Sequence, residues 1–213
     1  MRYVIILIFV LNIPFSSISH SQEAAPSNNY DNILKKLEEN SRTINTLKGN
    51  FLQTKHIYSL NIQIESKGLF YYKKENQKIR WEYSQPSKFS AIFNNGDFNI
   101  RNQDNSISAE TNKGKLFTEL NTVILSSLEG SLSKLDDFEL SVYELEFGYL
   151  ISLIPNSNIS ISKLLTKIDI QFNNSDYTVS KIELFELNGD ITSISFQSLA
   201  VNPSISDNLF NIQ

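Results

Sequence analysis

The sequence predicts an α+β domain that is mainly β: a strongly curved antiparallel sheet, in effect an unclosed β-barrel, with helices covering its concave face. Three observations lead there. Apolar residues alternate with polar ones over about ten short segments, two further stretches carry apolar residues at helical spacing, and no cysteine is present.

The stretch from Ile62 to Pro86 is the clearest part of the pattern. Ile62, Ile64, Gly68, Phe70 and Tyr72 occupy even positions against Gln63, Glu65, Lys67 and Lys73, the period of a sheet with one wet face. After the polar turn Lys74 to Gln77, the apolar residues move to odd positions, Ile79, Trp81 and Tyr83. Two adjacent strands therefore turn Phe70, Tyr72, Trp81 and Tyr83 to one side. Pro86, with no ladder N–H, ends the second strand. Two readings of this aromatic face stand: ordinary sheet core, or the wall of a binding cleft.

From Tyr30 to Lys48 the residues Ile33, Leu34, Leu37, Ile44 and Leu47 recur at helical spacing, predicting an amphipathic helix capped at Asn28, Asn29 or Asp31. Lys48 to Ser59 follows as the first strand. Phe89, Ala91 and Phe93 alternate in another, with Ile92 blurring the face. Asn95-Gly96 is a two-residue hairpin signal, and Phe98 and Ile100 return from it. Ile107 lies in a short strand after the polar turn Asn102 to Asn105. Leu116 to Leu128 then changes period, with Phe117, Leu120, Val123, Ile124 and Leu128 on one helical face and Gly130 as its stop. This helix is hardly charged, so it is either a packed core helix or a cover over a site.

Beyond Asp137 strands resume. Phe138, Leu140 and Val142 share one parity and Tyr143, Leu145 and Phe147 the other, which predicts a bulge or break near Val142. Tyr149 to Ile154 is a nearly continuous apolar strand ended by Pro155. Ile168 to Phe172, Thr178 to Leu187 and Ile191 to Leu199 complete the set, and Ser206 to Phe210 forms a terminal segment.

Composition excludes several functions. The 213 residues are 40% hydrophobic and 20% charged, suited to one domain with a sizeable core. The formal charge is -4, and no basic stripe exists that could displace counterions from phosphates, so no nucleic-acid partner is expected. Without cysteine there are no thiol nucleophiles, disulfides or zinc-thiolate sites. The two histidines are His20 and His56, and no Gly-x-Ser-x-Gly elbow accompanies them. The paired acids Asp136 and Asp137 fall in a loop and read as solvated surface. No enzyme, no catalytic residue, no metal and no cofactor are expected.

Residues 1–21 read as a secretory signal peptide: a cationic start at Arg2, an apolar run from Tyr3 to Phe15, and Ser19 and Ser21 at the outer positions of a cleavage site. The run is too short for a membrane span of about 20 apolar residues. Cleavage after Ser21 leaves residues 22–213 as one domain, and the absence of a cysteine to carry lipid predicts a soluble, unanchored protein.

The ordered set Phe51, Gln53, Gly68, Leu69, Phe70, Tyr71, Tyr72, Arg80, Trp81, Tyr83, Pro86, Asn95 and Gly96 resembles the periplasmic outer-membrane lipoprotein carrier family, LolA. The missing lipid-bearing cysteine fits that diffusing carrier rather than the anchored receptor LolB. The resemblance implies a periplasmic protein that takes acyl chains of lipoproteins from an ATP-driven (ABC-type) release complex in the inner membrane and passes them to an outer-membrane acceptor. A monomer is expected. It also implies a lid, for which the Leu116–Leu128 helix is the candidate. On that basis Phe70, Tyr72, Trp81 and Tyr83 are expected on the sheet side of a lipid-binding cleft and Leu120 and Ile124 on the lid side. The family's arginine that helps hold the lid follows the strand matching Gly68 to Tyr72. Here Lys73 or Lys74 stands there with no proline after it, and Arg80 is a substitute whose parity points to the wet face. Two other readings keep the fold: a carrier of another lipid or glycolipid, and a non-transport envelope interaction protein with a filled core.

Overall fold

A computed structural model describes residues 27, 29–102, 107–108 and 114–211, without the side chains of 107–108 and 114–117. The expected signal peptide, its cleavage point and most of the turn after Asn102 lie outside these residues.

Among the described residues eleven strands form one sheet, in which every hydrogen-bonded neighbour is antiparallel. A first meander runs through β1 (Thr46–Ile57), β2 (Ile62–Lys73), β3 (Lys78–Gln85), β4 (Phe89–Asn94), β5 (Asp97–Asn102) and β6 (Ile107–Ser108). Helix α2 (Gly114–Leu128) then crosses to a second meander of β7 (Phe138–Leu145), β8 (Gly148–Pro155), β9 (Leu165–Asn173), β10 (Val179–Glu186) and β11 (Ile191–Val201). Pairing of β1 with β11 joins the two halves, leaving β6 and β7 as edges that do not meet. The sheet is therefore an unclosed barrel. Helix α1 (Tyr30–Ser41) precedes it.

The strand periodicity holds in register. Phe70 lies opposite Trp81, Tyr72 opposite Ile79 and Gly68 opposite Tyr83, so the aromatic residues share the concave face. Gly68 is required by space: a Cβ there would stand 2.7 Å from Cε1 of Phe51 and 2.0 Å from the Glu82 carbonyl oxygen. Its absence lets the Phe51 ring stand edge-on to both Trp81 and Tyr83, with centroids 5.1 and 4.9 Å away. Ile92, whose parity was ambiguous, belongs to the convex face, where it packs with Tyr71 and Phe210 in a second, smaller core. The Asn95-Gly96 turn has φ of 49° and 93°, the left-handed pair that a type I′ hairpin needs.

Two sequence expectations are corrected. Helix α1 ends at Ser41 and does not reach Lys48; Ile44 sits in the connection and Leu47 in β1, both buried. Their spacing imitated a helix because a buried connector and the inward position of the next strand fall near the same period. No bulge interrupts β7, whose register with β8 is continuous from Phe138 opposite Pro155 to Leu145 opposite Gly148. The second apolar set there, Leu145 and Phe147, is exposed at the hairpin end rather than turned into the core.

Helix α2 ends in a Schellman motif: Ser131 N–H donates to the Ser126 carbonyl and Gly130 N–H to that of Ser127, with Gly130 at φ 64°. Gly130 also abuts α1, where a Cβ would be 2.5 Å from Cα of Glu38. The turn that ends α2 thus abuts the last turn of α1 at Gly130.

Candidate functional site

An apolar cavity of about 220 Å³ lies inside the curve of the sheet, beneath α2. Its sheet wall includes Trp81 and Tyr83 of β3, Ala91 of β4, Phe98 of β5, and Leu184 and Ile194 from the far half of the sheet. Its roof is Leu120, Asn121 and Ile124 of α2, and Gln53 and Thr192 supply polar groups. Curvature is what brings residues from β5 and β10 to one space although many strands separate them in the sheet order.

Trp81, Tyr83, Leu120 and Ile124, four of the six residues expected at a lipid-binding cleft, line this cavity. Phe70 and Tyr72 lie on the same face but deeper, both fully buried, where Phe70 supports Trp81 at a centroid distance of 4.6 Å. Face parity alone cannot separate a wall from the layer behind it. Ala91, Phe98, Leu184 and Ile194 were not among the expected lining; a small residue opposite Trp81 was the one available signal, since Ala91 is its cross-strand partner and leaves the space that the cavity occupies.

Tyr83 joins the apolar lining to the polar Gln53. Its hydroxyl donates to Oε1 of Gln53 at 2.9 Å, and burial pushes its pKa up to about 12. Nearby on the concave face, Lys55 Nζ bonds both carboxylate oxygens of Glu186 at 2.6 and 2.8 Å, and Thr192 donates to the same carboxylate. A larger depression of about 600 Å³ opens on the sheet's outer side and is lined by Glu65, Lys67, Glu82 and Gln85 among others. Phe51, Leu52 and Leu69 line it as well, so its surface is mixed.

The cations expected near a latch are engaged elsewhere. Lys73 bonds Glu75 and Asp207, each at 2.9 Å, while Arg80 bonds Glu82 and the Leu209 carbonyl. Both therefore hold the C-terminal segment on the convex face. Lys74 reaches the Ser41 carbonyl at the end of α1 at 3.4 Å. Among the described residues none of the three bonds α2.

Acidic residues tie α2 down instead. Glu119 accepts backbone N–H bonds from Ser160 and Ile161, at 3.2 and 2.6 Å, at the start of a short 3₁₀ turn. At the other end the Glu129 carboxylate accepts from the Tyr72 hydroxyl at 3.4 Å, and its carbonyl accepts from Ser41 Oγ at 2.6 Å. Burial, with Glu129 beside it, drives the Tyr72 hydroxyl well above the ordinary tyrosine range. Nothing in the sequence points from Glu119 or Glu129 to these partners, 41 and 57 residues away.

His56 stacks near Tyr58 at the end of β1, and Asp136 and Asp137 are exposed. Among the described residues no helix is long and apolar enough to cross a membrane.

The fold recurs in distant proteins. A DUF1329 family protein from Desulfovibrio piger superposes with a TM-score of 0.50 at 9% identity, covering 84% of this chain and 95% of its own. An uncharacterized conserved protein from Thermus thermophilus gives a TM-score of 0.51 at 9% identity over 86% of this chain and 93% of that one. MucB gives 0.51 at 12% identity over 87% of this chain, which spans 63% of MucB. No curated protein matches the sequence significantly. At such identities these likenesses speak to fold alone. The family model described as "Outer membrane lipoprotein carrier protein LolA" matches residues 42–213, from the end of α1 through the whole sheet and α2, and this chain accordingly belongs to the LolA family.

Proposed function

We propose that this protein carries the acyl chains of lipoproteins in the cavity between the sheet and α2, ferrying them through the periplasm from an inner-membrane ABC-type release complex to an outer-membrane acceptor. The observation that carries this reading is the cavity itself, an apolar space roofed by a single helix in a chain of the carrier family. Secretion requires the leader at residues 1–21, and the carrier works as a monomer. The chemistry is binding and release, with no covalent step.

The cavity volume bears on mechanism. At about 220 Å³ it lies below the roughly 300–1,000 Å³ of ordinary small-molecule sites. Acyl chains therefore enter by displacing α2. Each buried methylene gains about 0.8 kcal/mol, so a multiply acylated lipid fully enclosed in a preformed cavity would be held too tightly to hand over. Exposing the buried faces of Val123, Leu125 and Leu128 and breaking the Glu119 bonds offset part of that gain. Leu120 and Ile124 meet the incoming chains, with Trp81 and Tyr83 opposite; Phe70 and Tyr72 back that wall.

The test is equilibrium binding of a fluorescent acyl probe to the wild type and to Ala91→Leu, which fills the cavity from the sheet side. Uptake by the wild type that weakens at least about tenfold in the variant is expected, tenfold being about 1.4 kcal/mol. Absence of uptake by the wild type contradicts the reading.

A further inference from the structure

The β1–β2 hairpin runs past the rest of the sheet. Strand β3 pairs with β2 only from Lys67 to Lys73, and Pro86 then turns the chain away. Residues Ile62 to Ser66 are paired with β1 on one side and, among the described residues, with no strand on the other.

The direction of the free groups follows from alternation along a strand. The Lys67 carbonyl points outward, since Ser84 Oγ donates to it from β3. Gln63 and Glu65 share its parity, so their N–H and C=O groups also face outward. Among the described residues no hydrogen bond engages these four groups. Ile62 and Ile64, on the concave parity, are 46% and 44% exposed.

This edge is continuous with the cavity. Ser66 is the cross-strand partner of Gln53, and Gly68 of Tyr83, and both partners line the cavity. The outer depression of about 600 Å³, lined by Glu65, Lys67, Ser84 and Gln85, opens where β3 leaves β2. A chain emerging from the cavity mouth thus meets unpaired backbone, exposed apolar side chains on one side and a mixed-charge depression on the other.

We infer that the outer edge of β2 from Ile62 to Ser66 binds the extended polypeptide that follows the acylated residue of the cargo, adding it to the sheet as a further strand. The inference rests on the carrier reading. Strand addition is what an open edge offers: main-chain bonds supply affinity independent of sequence, which suits a carrier of many cargoes. The four outward groups of Gln63 and Glu65 are its anchors.

The experiment compares a diacylglyceryl-modified short peptide with the diacylglyceryl cysteine methyl ester that lacks the peptide, each displacing the same acyl probe from the full mature chain. The peptide-bearing ligand is expected to bind about tenfold more tightly, the scale of two neutral hydrogen bonds. Glu65→Pro removes an outward N–H without touching the β1 ladder and is expected to abolish that difference while leaving probe uptake intact; Glu65→Gln keeps it. N-methylation of the peptide at alternate residues is expected to do the same with the protein unaltered. Equal binding of the two ligands overturns the inference and leaves acyl binding standing. Binding of neither overturns the inference and the carrier reading together. A wild-type dimer in sedimentation that Glu65→Pro dissociates, with ligand affinities unchanged, assigns the edge to a second copy and overturns the inference.

Discussion

Phe70 and Trp81 face each other across β2 and β3, with ring centroids 4.6 Å apart and planes tilted by 55°, yet only Trp81 reaches the cavity. The pair divides the aromatic face into a buried layer and one that lines the cavity. Phe70→Ala is expected to cost about 3–5 kcal/mol of stability, as for other fully buried aromatics. Chemical denaturation measures it.

Cavity filling separates binding from stability. Ala91→Leu adds volume where space exists, so its stability is expected to stay within about 1.5 kcal/mol of wild type while acyl-probe affinity falls. A loss of stability beyond about 3 kcal/mol would mean that the site is already packed.

The fold was legible because Ile62 to Tyr83 keeps its alternation on two strands whose inward residues from Gly68 to Trp81 are buried, and because Asn95-Gly96 names its own turn. The errors fell where periodicity is ambiguous. Ile44 and Leu47 are buried for two different reasons at one apparent period, and Leu145 and Phe147 are apolar without being inside. The site was legible to the depth of one face. Which aromatics touch a cavity depends on curvature, and contacts such as Glu119 with Ser160 and Ile161 span 41 and 42 residues with no local signature.

Glu119 fastens α2 beside the cavity roof. Glu119→Ala leaves two backbone donors without their acceptor and is expected to lower stability by about 1–3 kcal/mol. Probe association measured by stopped flow should accelerate, because the helix lifts more readily. Slower association with the same stability loss would show that the bond does not gate entry.

The C-terminal segment responds to acid. Hydrogen bonds from Lys78 and then Lys73 hold the Asp207 carboxyl below its ordinary value. A lowered folded-state pKa gives stability that is complete above the ordinary carboxylate value of about 3.9 and lost as pH falls through the lower folded value. Protection of the Asp207–Phe210 amides, measured against their intrinsic exchange rates at each pH, is expected to fall in that window. Asp207→Asn should lower protection there at neutral pH and leave it unchanged on acidification.

Alkali acts on the cavity mouth. The Tyr83 hydroxyl ionises in the folded protein only near 12, against about 10 when unfolded. Its raised pKa means a contribution fully present below about 10 and lost as pH rises toward 12. Denaturation midpoints of the wild type are expected to fall faster over that window than those of Tyr83→Phe.

Native mass spectrometry of the mature protein drawn from a periplasmic extract, with analysis of bound lipid and peptide, tests the central claim most directly. The account predicts an acylated polypeptide bound to the wild type and absent from Ala91→Leu. An empty protein, or one holding a lipid with no polypeptide attached, would contradict it.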